Sequence, residues 1–380
     1  MGASAACGFA PGLRTLVFAR VVQGAGAALF MPASLAILRE AYPHAKERAH
    51  AIGIWSGLTA IAGACGPLFG GAMVASLGWR SIFLLNVPVG LVAVPMVVRF
   101  VRPSRAGVRR GFDLPAQVTG ALALAALTWA LIERSAFGWS SPRILLALAA
   151  AVGGILGFVF LERRSSNPIL PLQLFANRTF SATASAALLY AGAFFGSVLV
   201  FSIYFQDLRG DSPIRAGLHM AAITVSFGIT SIAAGRFAGR YGTRAPILSG
   251  LTSLAIGAWI FASLPQATPF AVVTVPLVLI GVGAGLVAPA MNAAILASVP
   301  AALSGIGAGV LNASRQVGTA LGVAVFASLF HARSPMAAVR ISLIASGVLY
   351  VLALALSLRA HGQAPAGAPG EVHLLEVIDH

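Results

Sequence analysis

Apolar runs of about twenty residues, each long enough to cross the hydrocarbon core of a bilayer as one helix, fill most of this chain. Eleven such runs lie near 15–38, 51–75, 82–101, 115–133, 143–161, 179–205, 213–234, 245–264, 270–296, 305–330 and 339–358. Too few polar residues remain to cover a water-facing surface. Of 380 residues, 58% are hydrophobic and 9% charged, with a mean hydropathy of +0.90, whereas soluble domains sit near roughly 45–50% and 25%. Lipid cannot hydrogen-bond a bare backbone, so each run must be helical. The expected fold class is an all-α polytopic membrane protein with about eleven complete transmembrane helices. A soluble enzyme of ordinary design, a disordered chain and a disulfide scaffold are excluded. A short apolar stump at 2–10 precedes the first run and is too short to cross.

The chain carries 25 basic and 10 acidic residues, a net charge of +15. In a soluble protein that excess would suggest nucleic acid. Here basic loops on the cytoplasmic side of a membrane account for it, and no nucleic-acid partner is expected. Alternating the loops across the bilayer collects fifteen basic residues on one side and eight on the other, with Arg20 and Arg315 inside spans. The richer side also holds the C-terminus, which is therefore expected in the cytoplasm. Only the loop near 297–304 carries no charge. Polar loops near 103–112 and 163–177 divide the chain into blocks 1–103, 104–171 and 172–359, and the polar tail 360–380 reads as disordered. Cys7 and Cys65 lie in apolar stretches and are expected as buried thiols without a disulfide.

Charge inside a membrane needs a reason. Arg20 opens Arg20-Val-Val-Gln23-Gly-Ala-Gly-Ala-Ala, about a turn and a half into its span. It reads equally as a cation facing the bundle or as one snorkelling to the headgroups. Arg315, near mid-depth with Asn312 and Gln316 beside it, favours a cavity. No Asp or Glu lies mid-span; Glu133, Glu162 and Asp207 fall at ends. Glycines recur at helical spacing, as Gly63, Gly66 and Gly70 around Pro67, as Gly281 and Gly285 with Pro289, as Gly305 with Gly309, and as Gly318 with Gly322. Such spacing lets helices approach closely. The only lysine is Lys46, so no nucleotide-binding lysine loop exists and ATP hydrolysis is excluded. The histidines have no ligand spacing, and neither metal nor cofactor is expected.

These residues together resemble the 14-helix drug:proton antiporter group of the major facilitator superfamily. The Arg20–Gln23 run resembles the family's fourth-helix motif, and Gly66-Pro67-Leu-Phe-Gly70-Gly71 its antiporter motif, with Ala62 where the family places a glycine. Trp79-Arg80-Ser-Ile-Phe83-Leu-Leu-Asn86-Val-Pro88-Val-Gly90 is similar to the boundary of helices five and six. Tyr204-Phe-Gln206 through Gly217, and Arg315-Gln316-Val-Gly318-Thr-Ala-Leu-Gly322, are similar to second-half signatures. Gly235-Arg236-Phe-Ala-Gly239-Arg240-Tyr-Gly242-Thr-Arg244 resembles the loop motif between helices two and three in its second copy, with Gly239 where the family usually has Asp.

The resemblance implies two helix bundles, the first N-terminally incomplete, with two linker helices at 104–171, and a chain as given that starts late. It implies a multi-pass protein of a bacterial inner membrane, not an enzyme. Its expected work is proton-coupled efflux of amphipathic drug-like compounds, as a monomer. Arg20 and Gln23, with Asn312, Arg315 and Gln316, would serve proton coupling and the cavity, and Gly66, Pro67, Gly70 and Gly71 the interface that rocks. The same fold can host a facilitator for a single metabolite, and a truncated, non-transporting remnant is the other alternative.

Overall fold

The computed structural model describes residues 1–101, 114–165, 172–300, 303–332 and 334–360. Every expected run is helical. The stump forms α1 (Gly2–Gly8), followed by α2 (Leu13–Ala41) and α3 (Ala45–Leu77). Next come α4 (Arg80–Leu84) and α5 (Asn86–Phe100), which together make one span. The linker pair is α6 (Leu114–Phe137) and α7 (Pro142–Arg164). The last block comprises α8 (Arg178–Ile203), α9 (Pro213–Tyr241), α10 (Arg244–Ser263), α11 (Phe270–Ala297), α12 (Ser304–Ala332) and α13 (Pro335–Ala360). Among the described residues ten spans are long and apolar enough to cross a membrane, and the run at 51–75 lies within the 33-residue α3. The boundaries expected at 103 and 171, and the expected disordered tail from 361 onward, fall outside the described residues.

Local chemistry sets the helix ends. Asn177 caps α8, its Oδ1 accepting the backbone N–H of Thr179 at 2.9 Å and of Phe180 at 3.1 Å, two donors that the first turn leaves unpaired. Ser212 caps α9 just before Pro213, whose missing N–H costs nothing at that position. Gly78 and Gly242 close α3 and α9 with φ of 79° and 77°, a backbone region that side chains with a Cβ avoid. A π-turn over Tyr204–Leu208 ends α8.

The core sits in the last block. There α8 packs on α12 and α13, α10 on α11 and α13, and α11 on α9. Phe201, Leu254, Leu277 and Met291 are fully enclosed between them. The linker helices α6 and α7 pack chiefly on each other, with α6 also against α12. From the first block, α3 lies along α9 and α11, and α2 touches α12.

Candidate functional site

Small residues decide how closely these helices approach. A Cβ added at Gly192 of α8 would stand 2.9 Å from the Gly318 carbonyl oxygen, and one at Gly322 would collide with the Gly192 backbone. Gly250 of α10 and Gly283 of α11 meet the same way, and Gly281 and Gly285 of α11 press on the backbone of α9. A further seam joins α3 to α9. A Cβ at Gly53 would lie 2.9 Å from the Ser231 carbonyl oxygen and 3.0 Å from Gly235 Cα, and Ser231 Oγ donates to the Gly53 carbonyl at 3.4 Å. Gly235 of the loop motif is therefore part of this seam. The expectation for Gly305 and Gly309 is corrected, because nothing stands within 4 Å of a Cβ at either. Among the described residues Gly307, between them, makes the contact instead, 3.2 Å from Val299.

Polar groups gather inside the last block. Arg315 Nη2 donates to the Ala288 carbonyl of α11 at 3.2 Å, while its Nε is buried without a partner. The Tyr190 phenol on α8 lies within electrostatic reach of that guanidinium. Asn292, 1% exposed, has an unpartnered Oδ1 one turn beyond Ala288. Ser197 and Ser346 share a hydrogen bond of 2.9 Å. These polar groups lie in an otherwise apolar bundle.

The structure divides the residues expected to act together. Asn312 lies between Arg315 and Gln316 around α12, three residues before the first and four before the second. Gln316, one residue after Arg315 and about 100° further around the helix, lines a cavity between α6, α8 and α12. Arg20 and Gln23 do come together. Arg20 Nη1 donates to Gln23 Oε1 at 2.8 Å, Gln23 Nε2 donates to Ser4 Oγ of α1 at 2.7 Å, and the Arg20 guanidinium lies 5.6 Å from the Phe83 ring centre. Arg20 is exposed, and its neighbours here are an amide and an aromatic face. Gly66, Pro67, Gly70 and Gly71 lie on α3, with surroundings outside the described residues. Arg236 and Arg240 at the end of α9 and Arg244 at the start of α10 are exposed around the Gly242 turn.

Other contacts carry no local sequence signature. Arg39, at the end of α2, forks onto the end of α11, donating to the Leu296 carbonyl and, at 2.9 Å, to the Val299 carbonyl. Asn177 Nδ2 donates to Ser298 O beside them at 3.3 Å. Carbonyls in a helix's last turn lack intrahelical partners, so this end of α11 is a ready acceptor. At the opposite end of the bundle, Arg209 donates to the Thr268 carbonyl at 2.7 Å. Close by, His219 Nε2 lies 3.5 Å from Asp211 Oδ2, its ring 3.8 Å from that of Phe270. Arg39 and His219 read only as a loop charge and a helix-end residue. Cys7 is buried and free. Among the described residues no cluster of His, Cys, Asp or Glu could hold a metal ion.

The sequence pattern of the Major Facilitator Superfamily matches residues 1–323. The chain belongs to the major facilitator superfamily. Among its relatives is the Methylenomycin A resistance protein of Streptomyces coelicolor, 36% identical over 356 residues that cover 92% of this chain and 74% of that protein. Multidrug resistance protein Stp of Mycobacterium tuberculosis is 36% identical over 329 residues, 87% of this chain and 61% of Stp. Drug efflux pump JefA of the same organism is 34% identical over 331 residues, 87% of this chain and 65% of JefA. The chain thus spans between three-fifths and three-quarters of these relatives. As a member of the superfamily it is a multi-pass membrane transport protein and not an enzyme.

Proposed function

We propose that this protein is a secondary carrier that exports amphipathic, drug-like compounds in exchange for protons by alternating access. The polar groups around Arg315, Tyr190 and Asn292, set in an apolar helix bundle, carry this reading. Few charges and many apolar walls suit lipophilic solutes of varied shape, and the relatives' names, resistance proteins and a drug efflux pump, agree with it. The α3–α9 glycine seam gives the first and last blocks a surface on which to rock, with Gly66, Pro67, Gly70 and Gly71 further along the same helix.

The charge distribution supports a cytoplasmic position for the Arg39 end of the bundle and the C-terminus. The Arg39 fork then ties α2 to α11 on the cytoplasmic side, as a carrier open to the outside requires. Arg20, hydrogen-bonded to Gln23, takes part in proton coupling, and the protein works as a monomer in a bacterial inner membrane.

The test uses everted membrane vesicles holding the protein, an imposed pH gradient (acid inside) and ethidium as a fluorescent lipophilic cation. Ethidium uptake should follow the gradient and collapse with a protonophore. Arg20→Ala should abolish the coupling while leaving the protein in the membrane. Uptake indifferent to the gradient would return the facilitator reading.

A further inference from the structure

A cavity of about 630 Å³ opens between the linker helix α6 and helices α8 and α12. Its walls are mostly apolar, with Leu131, Leu199, Val323 and Ala327 among them. One strong charge lines it. Arg134 is 8% exposed and stands in the last turn of α6. Its guanidinium donates to the Ala324 carbonyl of α12 and lies 5.0 Å from the Trp139 ring centre, while Nε is buried with no partner among the described residues. None of the residues lining the cavity is acidic. A cation enclosed in apolar surroundings is costly unless an anion accompanies it.

The position of that cation narrows what the anion can be. Phe137 and Trp139 are exposed next to it, and Arg143 lies 5.1 Å from the Phe137 ring centre, an aromatic and basic girdle of the kind found at headgroup level. From Arg134 the lining runs down α6 to Thr128, about 9 Å at 1.5 Å per residue, and along α12 to Gln316. The charge stands at the end of the cavity next to this girdle, and the lining from there to Thr128 and Gln316, the shaft of the cavity, runs towards the middle of the bilayer. The volume lies within the roughly 300–1,000 Å³ of sites that hold one drug-sized molecule.

We infer that this cavity is a site for an anionic phospholipid, with the headgroup phosphate against Arg134 and an acyl chain in the shaft. An arginine guanidinium binds a headgroup phosphate through charge-assisted hydrogen bonds, stronger than neutral ones. The bound lipid fastens the linker pair, which otherwise packs chiefly on itself, to α12. This assignment does not depend on what the carrier exports.

The experiment is native mass spectrometry of the full chain from detergent, with phosphatidylglycerol, zwitterionic phosphatidylcholine or oleate added at equal concentration. The wild-type chain should retain a single phosphatidylglycerol in preference to the other two. Arg134→Gln should weaken that retention about tenfold, the loss of one charge-assisted contact. Ala320→Trp, which fills the shaft and keeps Arg134, should weaken it as well, so the test survives if Arg134→Gln fails to fold. Equal retention of phosphatidylglycerol and phosphatidylcholine by the wild type would overturn the assignment, as would preference for oleate. So would undiminished phosphatidylglycerol binding by Ala320→Trp.

Discussion

In α8, extended through its π-turn, and in α10, 56% of the most apolar stretch is buried against other helices, whereas in α2 and in the α4–α5 pair only 7% and 6% is. All four qualify as membrane spans on length and composition. Hydropathy therefore places a helix in the bilayer without deciding what it packs against, since lipid tails are as apolar as leucine side chains and no hydrophobic force draws two helices together. Close approach does decide it, and small residues permit that only where a partner meets them. Gly318 and Gly322 of α12 lie on the backbone of α8, but Gly24 and Gly26 of α2, in an equally small-residue run, have no described residue within 4 Å of an added Cβ.

That contrast is open to direct attack. Gly322→Leu should produce the largest effect, because its side chain would enter the Gly192 backbone. Overpacking typically costs about 1–3 kcal/mol, and here rigid backbone, not a flexible side chain, must yield, so size-exclusion profiles in detergent should lose the folded peak. Gly26→Leu should leave that profile unchanged. Equal damage from both would show that burial does not separate the two regions.

A smaller effect is expected from Arg315→Met, which removes the contact with Ala288 but keeps an unbranched, apolar side chain. Ethidium efflux should fall at least about tenfold, the equivalent of one charge-assisted hydrogen bond, with the folded peak retained. Unchanged efflux would reduce the Arg315 cluster to a structural role.

Arg39→Ala sharpens the comparison where the two regions touch. Two hydrogen bonds to the end of α11 are lost, and maleimide labelling of a cysteine placed at Ser298 should speed up severalfold as that end opens. Labelling at the wild-type rate would mean the fork holds nothing closed. The smallest change belongs to Asn177→Ala, where loss of the α8 cap should lower stability by about 1 kcal/mol, read as a modest drop in thermal midpoint.

Much of the architecture was legible in one dimension. The eleven runs and the stump at α1 follow from span length. The close approach at Gly281, Gly285, Gly318 and Gly322 was visible as spacing, and that at Gly305 and Gly309 was not there despite the same spacing. Arg20 with Gln23 could be read because the two lie one turn apart on a single helix. Tyr190, Asn292 and Arg39 could not, since each gains its significance from a different helix.

Composition and periodicity by themselves determined that the chain is a multi-span helical membrane protein and roughly where its helices lie, while its motifs carried the resemblance to the superfamily. Those are properties of neighbouring residues and of their transfer from water to lipid. Only the tertiary structure decided that Arg315 turns to α11 while Gln316 lines the cavity beside α6, that Arg39 reaches the end of α11, and that Arg134 is buried in the wall of that cavity. On a helix that is apolar all round, no local pattern distinguishes the side facing lipid from the side facing protein, and that choice belongs to the packing of distant segments.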